Sequence, residues 1–481
     1  MVFNSLTYLL FLFIVIILYW QLSYKFRLIL IFFSSLVFYG FWKIEFIPIL
    51  LISVIVDWWV AQRIIFHSNK YRFYLLLFSL TINLGLLFYF KYLIFFAENS
   101  IGFANLLGAN LDPIVLKIIL PLGISFYTFQ TISYTIDVYR GFIKPERNFI
   151  LFACYVTFFP QLVAGPILRA AEVIPQFKNR PTFSLNYIFV GARLILFGLF
   201  LKVVMADNLS VLVDSGFSMG VAYMSAIDVW TLAFLFGFQI YFDFSGYSFI
   251  AIGSARMMGI FFPNNFNFPY ASSSPKEFWQ RWHISLSSWI RDYLYLPLNK
   301  VKVFNRSEGG ISQIVRIKGN KKSLFFTMII MGLWHGANWT FLLWGIYHAV
   351  VISFYRLVKP LSVNLSKKVR SLIGVLITLP IMMLSWIPFR ANSINDTIIM
   401  WSKIFNPFAY TWLGMRENVY LITFLVLIGF YLVYLIKIKL KPVLSHKKYI
   451  SIILENILIV IMLFFVIIFF REINQFIYFQ F

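Results

Sequence analysis

The sequence has a single cysteine and few charged residues. Of its 481 residues only 12% are charged, whereas 61% are hydrophobic. A chain of this composition would expose large apolar patches in water, which excludes a soluble globular protein. Cys154 has no second cysteine to pair with, which excludes a disulfide framework. The histidines lack the His-Glu-x-x-His pattern and other short ligand spacings, so the sequence predicts no metal site.

Acidic residues are scarce as well, since 18 Asp and Glu stand against 41 Lys and Arg, for a formal net charge of +23. The basic residues fall in short segments between apolar runs, where they mark cytoplasmic loops rather than a nucleic-acid site. Aromatic residues make up 21% of the chain, which suits a protein with lipid-facing surface and interfacial anchors. The sequence therefore predicts a polytopic integral membrane protein that contacts lipid and no nucleic acid.

Apolar runs long enough to cross a ~30 Å hydrocarbon core recur along the whole chain. They lie near 6–20, 28–42, 46–61, 74–96, 114–136, 149–166, 187–205, 226–262, 324–356, 372–388, 418–436 and 450–470. The two longest, 226–262 and 324–356, exceed one straight span, and we expect a re-entrant or broken helix in each. The prediction is an all-α polytopic fold with roughly 11 to 13 transmembrane or re-entrant helices.

The basic residues also predict the orientation of the chain. Segment 263–323 carries ten Lys or Arg and segment 437–448 carries five Lys, so both are expected in the cytoplasm. Loop 97–113 contains no Lys or Arg and is expected outside. One further span then places Phe481, and with it the carboxyl terminus, outside. Residues 164–186 fit this scheme as a hairpin that dips in from the cytoplasm.

Two histidines are candidates for chemistry because ionisable groups in or near apolar spans are often functional. His335 lies in an apolar run between Gly332 and Gly336, where a broken helix would leave room for a ligand. A buried imidazole is expected to be neutral and able to accept a proton from a hydroxyl. The alternative for His335, and likewise for His283, is a hydrogen-bonded structural histidine.

Two further ionisable residues are interpreted as structural. His348 follows His335 by thirteen residues, which is about 220° around a straight helix, so the two would not share a face. Asp243 lies deep in the apolar run 226–262 and must be paired or face a water-filled cavity.

The chain ends in an aromatic tail, residues 476–481, with the sequence Phe-Ile-Tyr-Phe-Gln-Phe. One interpretation is an anchor at the membrane interface. The other uses the chemistry of the Tyr478 phenol, whose ordinary pKa near 10 makes an acyl-tyrosine a reactive ester. Tyr478 could then carry an acyl group between a donor and an acceptor.

Three motifs resemble the membrane-bound O-acyltransferase superfamily. They are Phe-Trp-Gln-Arg-Trp-His-Ile-Ser-Leu-Ser at 278–287, Trp-Ile-Arg-Asp-Tyr-Leu-Tyr-Leu-Pro-Leu at 289–298 and Leu-Trp-His-Gly-Ala-Asn-Trp at 333–339. Segments 159–167 and 239–258 extend the resemblance over nearly the whole chain. It is similar above all to the bacterial envelope branch, with membrane subunits for O-acetylation of alginate or peptidoglycan and for D-alanyl transfer to teichoic acid. The resemblance implies one domain, residues 1–481, that includes the tail at 476–481.

The resemblance also implies a mechanism. It predicts a wheel of helices around a central funnel, with His335 and His283 as catalytic residues and Tyr478 as acyl carrier. The expected donor is a cytoplasmic thioester, acetyl-CoA, with no cofactor bound to the protein. The expected partner is a periplasmic or extracytoplasmic acyltransferase with a Ser-His-Asp site. The acceptor would be an envelope polysaccharide, such as alginate, peptidoglycan or another exopolysaccharide, outside the bacterial inner membrane.

Three alternatives remain at this point. The first is D-alanyl transfer to teichoic acid, although a tail on the same chain makes a companion peptide unnecessary and favours O-acetylation. The second is a transporter or flippase in which His335, His283 and Asp243 form a proton or substrate pathway. The third is a structural subunit without chemistry, in which His335 could be replaced by Gln with little loss.

Overall fold

A computed structural model describes residues 1–300, 306–307, 310–311, 320–358, 366–440 and 447–470. The regular secondary structure of these residues is helical, which confirms the predicted all-α polytopic class. The exception among the regular elements described is a short antiparallel ladder, in which Arg306–Ser307 pairs with Gly310–Ile311. The predicted aromatic tail, including Tyr478, lies outside the described residues.

The first half of the chain alternates long helices with short ones. The α-helices are Leu6–Gln21, Tyr24–Gly40, Ile47–Ile64, Asn69–Leu87, Leu93–Leu106, Ile124–Tyr139, Phe149–Thr157, Phe159–Leu162, Ala170–Lys178, Leu185–Leu199 and Asp207–Ser218. Two π-helical turns, Phe88–Tyr92 and Phe200–Ala206, join consecutive helices into longer rods, and Ile44–Phe46 is a 3₁₀ turn.

The second half begins with the longest helix of the described chain, Ala226–Met257, which we call the central helix. The other α-helices are Pro275–Arg281, Ile284–Ile290, Leu296–Leu298, Lys321–His335, Trp339–Val358, Lys367–Leu384, Trp386–Arg390, Ile394–Ile404, Glu417–Leu435 and Lys448–Phe469. Two π-helical turns are Arg291–Tyr295 and Ile436–Leu440, and three 3₁₀ turns are Val221–Tyr223, Pro269–Ala271 and Pro407–Tyr410.

Within the described part of the chain, eight helices are long and apolar enough to cross a membrane. They are Ile44–Ile64, Asn69–Leu106, Leu185–Ser218, Ala226–Met257, Trp339–Val358, Lys368–Arg390, Glu417–Lys439 and Tyr449–Phe469. A shorter apolar helix, Leu6–Gln21, adds to them. The chain is therefore a multi-pass membrane protein. The expected 11 to 13 elements include partial crossings, which helix length does not test, so that number stays a prediction.

Two predicted runs differ from the structure. The run 114–136 begins as irregular chain and becomes helical only at Ile124, because Pro113 and Pro121 lack the amide donor that a helix needs. The run 226–262 holds no break, since the central helix continues for 32 residues and contains no proline. At 1.5 Å per residue the central helix is ~48 Å long. In its most apolar stretch of 18 residues, 83% is buried inside the protein. The run is therefore accounted for by one long, covered helix without a re-entrant segment.

Residues 149–178 form short helices rather than one full crossing. Phe149–Thr157 and Phe159–Leu162 are followed by irregular chain and then by Ala170–Lys178. All residues from 151 to 170 are buried inside the protein. Irregular backbone within a membrane is tolerated only when protein covers it, and this segment meets that condition. Its entry from the cytoplasm as a hairpin stays a prediction.

The central helix packs closely against helix Leu185–Leu199 because glycines face each other across the contact. A Cβ atom added to Gly198 would stand 2.6 Å from the carbonyl oxygen of Gly246, and one added to Gly246 would stand 2.7 Å from that of Gly198. Gly191 and Gly253 repeat the arrangement two turns away. Small residues let membrane helices approach in this way, and van der Waals packing then holds them together.

Gly198→Ala is therefore expected to lower the thermal stability of the detergent-solubilised protein, because the new methyl group meets backbone that cannot move aside. Gly429→Ala is the matched control, since no atom lies within 4 Å of a Cβ at this position on another membrane helix. Unfolding followed by intrinsic fluorescence should show a lower Tm for the first variant and an equal or higher Tm for the second. Equal melting of both variants would contradict the close-packing account.

Candidate active site

His335 is the last residue of its helix. This helix, Lys321–His335, is capped at its start by Asn320, whose side-chain oxygen accepts a hydrogen bond from the amide of Lys322 at 3.0 Å. It stops because Gly336 is extended, with φ −162° and ψ 149°. The next helix, Trp339–Val358, starts three residues later. The break predicted in the run 324–356 is thus confirmed, and it lies directly after His335.

The two glycines near His335, Gly332 and Gly336, were both expected to leave room for a ligand, and the structure gives them different roles. A Cβ on Gly332 would collide with the backbone oxygen of Phe341, so Gly332 allows the two helices to cross rather than leaving room for a ligand. Gly336 lies against the ring of Phe341 and also lines a cavity. Of the two, only Gly336 borders open space.

The imidazole of His335 is enclosed by aromatic rings. Its side chain is buried, and its ring centroid lies 4.9 Å from that of Trp334, 5.0 Å from Trp344 and 5.2 Å from Phe389. All three rings meet the imidazole at steep angles, between 68° and 82°. Aromatic walls of this kind exclude bulk water and hold the ring in one orientation.

His283 is also fully buried, and its backbone has a positive φ of 40°. Its Nδ1 lies 3.2 Å from Oδ1 of Asn265, which also accepts hydrogen bonds from the amide and hydroxyl of Ser285. Because the amide oxygen can only accept, Nδ1 of His283 carries the proton in this arrangement. Nε2 is then the unprotonated nitrogen of the ring, which is the state required of a proton acceptor.

The indole of Trp334 contacts both histidines. Its ring centroid is 4.9 Å from that of His335 and 6.1 Å from that of His283. Phe126 and Phe129 pack on the same indole, each with its centroid 5.6 Å away. The structure therefore brings His335 and His283, which are 52 positions apart in the sequence, into one aromatic cluster.

His348 belongs to this cluster too, contrary to the prediction from a straight helix. It lies on the helix after the break, and its ring contacts Trp344 at 4.6 Å and Trp279 at 5.0 Å between centroids. Trp344 in turn contacts His335. The 220° argument fails because the break at Gly336 separates the two histidines onto different helices. A structural role for His348 remains consistent with its full burial.

A cavity of about 510 Å³, which we call the inner cavity, opens beside the amino-terminal half of the His335 helix. Leu324, Thr327, Met328 and Met331 of that helix form one wall. The remaining lining is rich in cations and aromatic rings: Lys276, Arg291, Arg356, Trp279, Tyr295 and Tyr355. Lys276 and Arg291 come from the basic segment 263–323, which the charge rule predicts to lie in the cytoplasm.

A second cavity of about 580 Å³, the outer cavity, lies at the other end of the same helix. Gly336, Ala337 and Asn338 of the helix break line it. Its other walls are Phe90, Lys91, Ile94, Ile118, Leu120, Thr340, Phe341, Phe389, Arg390, Ala391 and Asn392. Met331 borders the inner cavity and Gly336 borders the outer one, so buried His335 lies on the helix between the two.

Sequence reasoning missed two residues at this site, Lys91 and Tyr92. The Lys91 ammonium donates to the carbonyl oxygens of Trp334 at 2.7 Å and His335 at 3.0 Å. The Tyr92 hydroxyl donates to the carbonyl of Leu333 at 3.0 Å. A lysine inside the apolar run 74–96 was the available signal, since charged side chains in spans are rarely incidental.

Asp243 is paired, as the structural interpretation requires. The ammonium of Lys202 lies 2.9 Å from its Oδ1 and 2.6 Å from Oδ1 of Asp207. Lys202 and Asp243 are almost completely buried. This pairing joins the π-helical turn Phe200–Ala206 to the central helix.

Replacing Lys202 with Met should cost roughly 3 to 5 kcal/mol of stability, because it leaves buried carboxylates without their cation. Arg193→Met is the control, since it breaks an ion pair with Glu455 in which both side chains are 47% exposed. Exposed pairs contribute about 0 to 1 kcal/mol. Unfolding titrations in mixed micelles measure both values, and a similar small loss in the two variants would contradict the role given to Lys202.

The sequence between residues 145 and 389 matches the membrane-bound O-acyltransferase family. The chain belongs to this family. The matched region contains both His283 and His335 with all three motifs around them, as well as most of the inner-cavity lining. The protein is therefore a membrane-embedded O-acyltransferase.

The chain is similar to several named proteins. A "Probable alginate O-acetylase" of Pseudomonas aeruginosa is 38% identical over 84% of this chain and 75% of its own length. A peptidoglycan O-acetyltransferase of Helicobacter pylori is 35% identical over 76% of this chain and 71% of its own. A teichoic acid D-alanyltransferase of Streptococcus thermophilus is 30% identical over 57% of this chain and 69% of its own.

Proposed function

We propose that this O-acyltransferase moves an acetyl group across the bacterial inner membrane for the O-acetylation of a cell-envelope polysaccharide. A cytoplasmic thioester, acetyl-CoA, would donate the group in the inner cavity. The Tyr478 hydroxyl would receive it near His335 and present it to an extracytoplasmic acyltransferase. The observation that carries this proposal is the position of His335 on a helix that borders one cavity at Met331 and another at Gly336.

The proposed first step uses His335 as a general base and then as a general acid. Its imidazole takes the proton from the Tyr478 hydroxyl while the phenolic oxygen bonds to the thioester carbonyl carbon. The carbon–sulfur bond then breaks, and the departing thiolate takes the proton back from the imidazolium. The products are an O-acetyl-tyrosine and the free thiol, so the histidine returns to its starting state.

His283 is the second proposed catalytic residue. Its Nδ1 hydrogen bond to Asn265 orients the ring, and Nε2 is left as its proton-accepting nitrogen. The Trp334 indole contacts both its ring and that of His335. This shared contact favours a role for His283 in orienting the donor or the indole.

The lining of the inner cavity supports an anionic donor. Three cationic side chains, Lys276, Arg291 and Arg356, face the space that the donor would occupy. Phosphate groups of a nucleotide thioester would be attracted by these charges, and aromatic walls such as Trp279 suit the stacking of an adenine ring. The volume of about 510 Å³ falls in the range of cavities that hold small ligands.

Lys276→Gln and Arg356→Gln should each raise the KM for acetyl-CoA while leaving kcat nearly unchanged, because they remove donor attraction and touch no reacting atom. Lys25→Gln is the control, since Lys25 is an exposed lysine that does not line the cavity. Steady-state rates measured at several salt concentrations would distinguish the two cavity variants from the control variant. A KM equal to that of the control variant at low salt would argue against a donor site in the inner cavity.

The proposed acceptor side rests on the named relatives. The relatives named as an alginate O-acetylase and a peptidoglycan O-acetyltransferase match more of this chain, and at higher identity, than the teichoic acid D-alanyltransferase does. This favours acetyl over D-alanyl as the group transferred. The polymer would be alginate, peptidoglycan or another exopolysaccharide, and a separate Ser-His-Asp acyltransferase would take the group from Tyr478.

The transporter alternative loses support from the pairing of Asp243. Its carboxylate is held by Lys202 away from both cavities, so it is not available to a conducting pathway. Membership of the O-acyltransferase family argues against it as well. The structural-subunit alternative is tested by the activity of a His335→Gln variant.

The acyl-tyrosine step is tested by peptide mass spectrometry of the purified protein after incubation with acetyl-CoA. We expect an acetyl group on Tyr478 in the wild type and none in Tyr478→Phe or His335→Ala. Binding of acetyl-CoA should be retained in both variants, because His335 does not line the inner cavity and Tyr478→Phe removes only a hydroxyl group.

The contrary result is a wild-type protein that binds acetyl-CoA and carries no label on Tyr478. The tail would then be an interfacial anchor and the acyl group would take another path. Label on Tyr478 that persists in His335→Ala would instead remove His335 from the transfer step while keeping the carrier.

A further inference from the structure

The helix that presents His335 ends inside the protein, where its terminal carbonyl groups need donors. The last four carbonyls of an α-helix have no partner within the helix, and water is scarce among buried aromatic rings. Here three consecutive carbonyls, those of Leu333, Trp334 and His335, accept hydrogen bonds from side chains of another helix. These donors come from two adjacent residues, Lys91 and Tyr92.

A π-helical turn makes this double contact possible. Lys91 and Tyr92 lie in the turn Phe88–Tyr92, within the long span Asn69–Leu106. In a regular α-helix adjacent side chains diverge by about 100°, so they would not converge on one helix end. The extra residue of a π-turn alters that direction, and such turns are frequent at functional sites.

Lys91 also contacts the indole of Trp334, which packs against both histidines. Its ammonium stands 5.9 Å from the centroid of Trp334, within the range of a cation–π contact. The same positive charge lies at the carboxyl end of the His335 helix, where the helix dipole favours a cation. Lys91 further lines the outer cavity, next to Gly336.

From these contacts we infer that Lys91, supported by Tyr92, is a positioning residue that fixes the helix end and the Trp334 indole so that His335 points correctly between the two cavities. The inference rests on the proposed role of His335 in acyl transfer. Lys91 acts through the backbone of residues 334 and 335, not through a contact with the reacting atoms. A small displacement of the His335 imidazole would slow the chemical step more than it would weaken the binding of a donor in the inner cavity.

Lys91→Met removes the charge and the donors at similar length, and it should lower kcat about 10- to 100-fold while leaving the KM for acetyl-CoA unchanged. Lys91→Arg keeps a charge and donors and should restore a large part of kcat. Tyr92→Phe removes one hydrogen bond and should lie between wild type and Lys91→Met.

Lys403→Met is the matched control, because Lys403 also donates to two backbone carbonyls, those of Ala222 and Met224, but lies outside this cluster. It should leave kcat at the wild-type value. A second readout is carbethoxylation of the His335 peptide by diethyl pyrocarbonate, followed by mass spectrometry without any acetyl donor. Buried His335 should react slowly in the wild type and in Lys403→Met, and faster in Lys91→Met.

A Lys91→Met variant with wild-type kcat and wild-type labelling of His335 would overturn the inference. So would a loss of kcat that Lys91→Arg does not relieve, or one that Lys403→Met reproduces. Failure of the proposed function looks different, since His335→Ala would then keep full transfer activity. In that case the labelling experiment would still report whether Lys91 positions His335.

Discussion

In the hydrocarbon core of a membrane, a helix that stops midway leaves carbonyl groups that no backbone amide can reach and that little water can solvate. The site described here depends on how this chain meets that constraint at the helix end after His335. Lys91 and Tyr92 supply the missing donors, and the break can therefore stand at the depth where His335 is needed. The same break opens the outer cavity on one side and leaves the inner cavity on the other.

Rigid surroundings keep the histidine cluster in place. Trp334 and Trp344 link His283, His335 and His348 through ring contacts, while paired glycines bring the neighbouring helices close together. The buried charge of Asp243 is neutralised by Lys202 away from the site. The imidazole of His335 is therefore held among buried aromatic rings in this acyltransferase.

Much of the fold was predictable because composition and apolar run length are direct consequences of membrane thickness. The all-α polytopic class, the break after His335 and the paired state of Asp243 all follow from rules that act locally along the chain. The convergence of His283 on Trp334 was not predictable, since it depends on packing between segments that are distant in sequence. The positions of Lys91 and His348 were missed for a related reason, because a π-turn and a helix break change side-chain directions that a regular helix would fix. The role of Tyr478 remains a prediction from resemblance.

The central claim is that His335 lies between cavities that open to opposite sides of the membrane. Single cysteines at Met328, in the inner cavity, and at Asn338, in the outer cavity, test it directly, because native Cys154 is fully buried and gives little background. Sealed vesicles of either orientation would be treated with a membrane-impermeant maleimide. The account predicts that Met328→Cys reacts only from the cytoplasmic side and Asn338→Cys only from the outside. Reaction of both from the same side would contradict it.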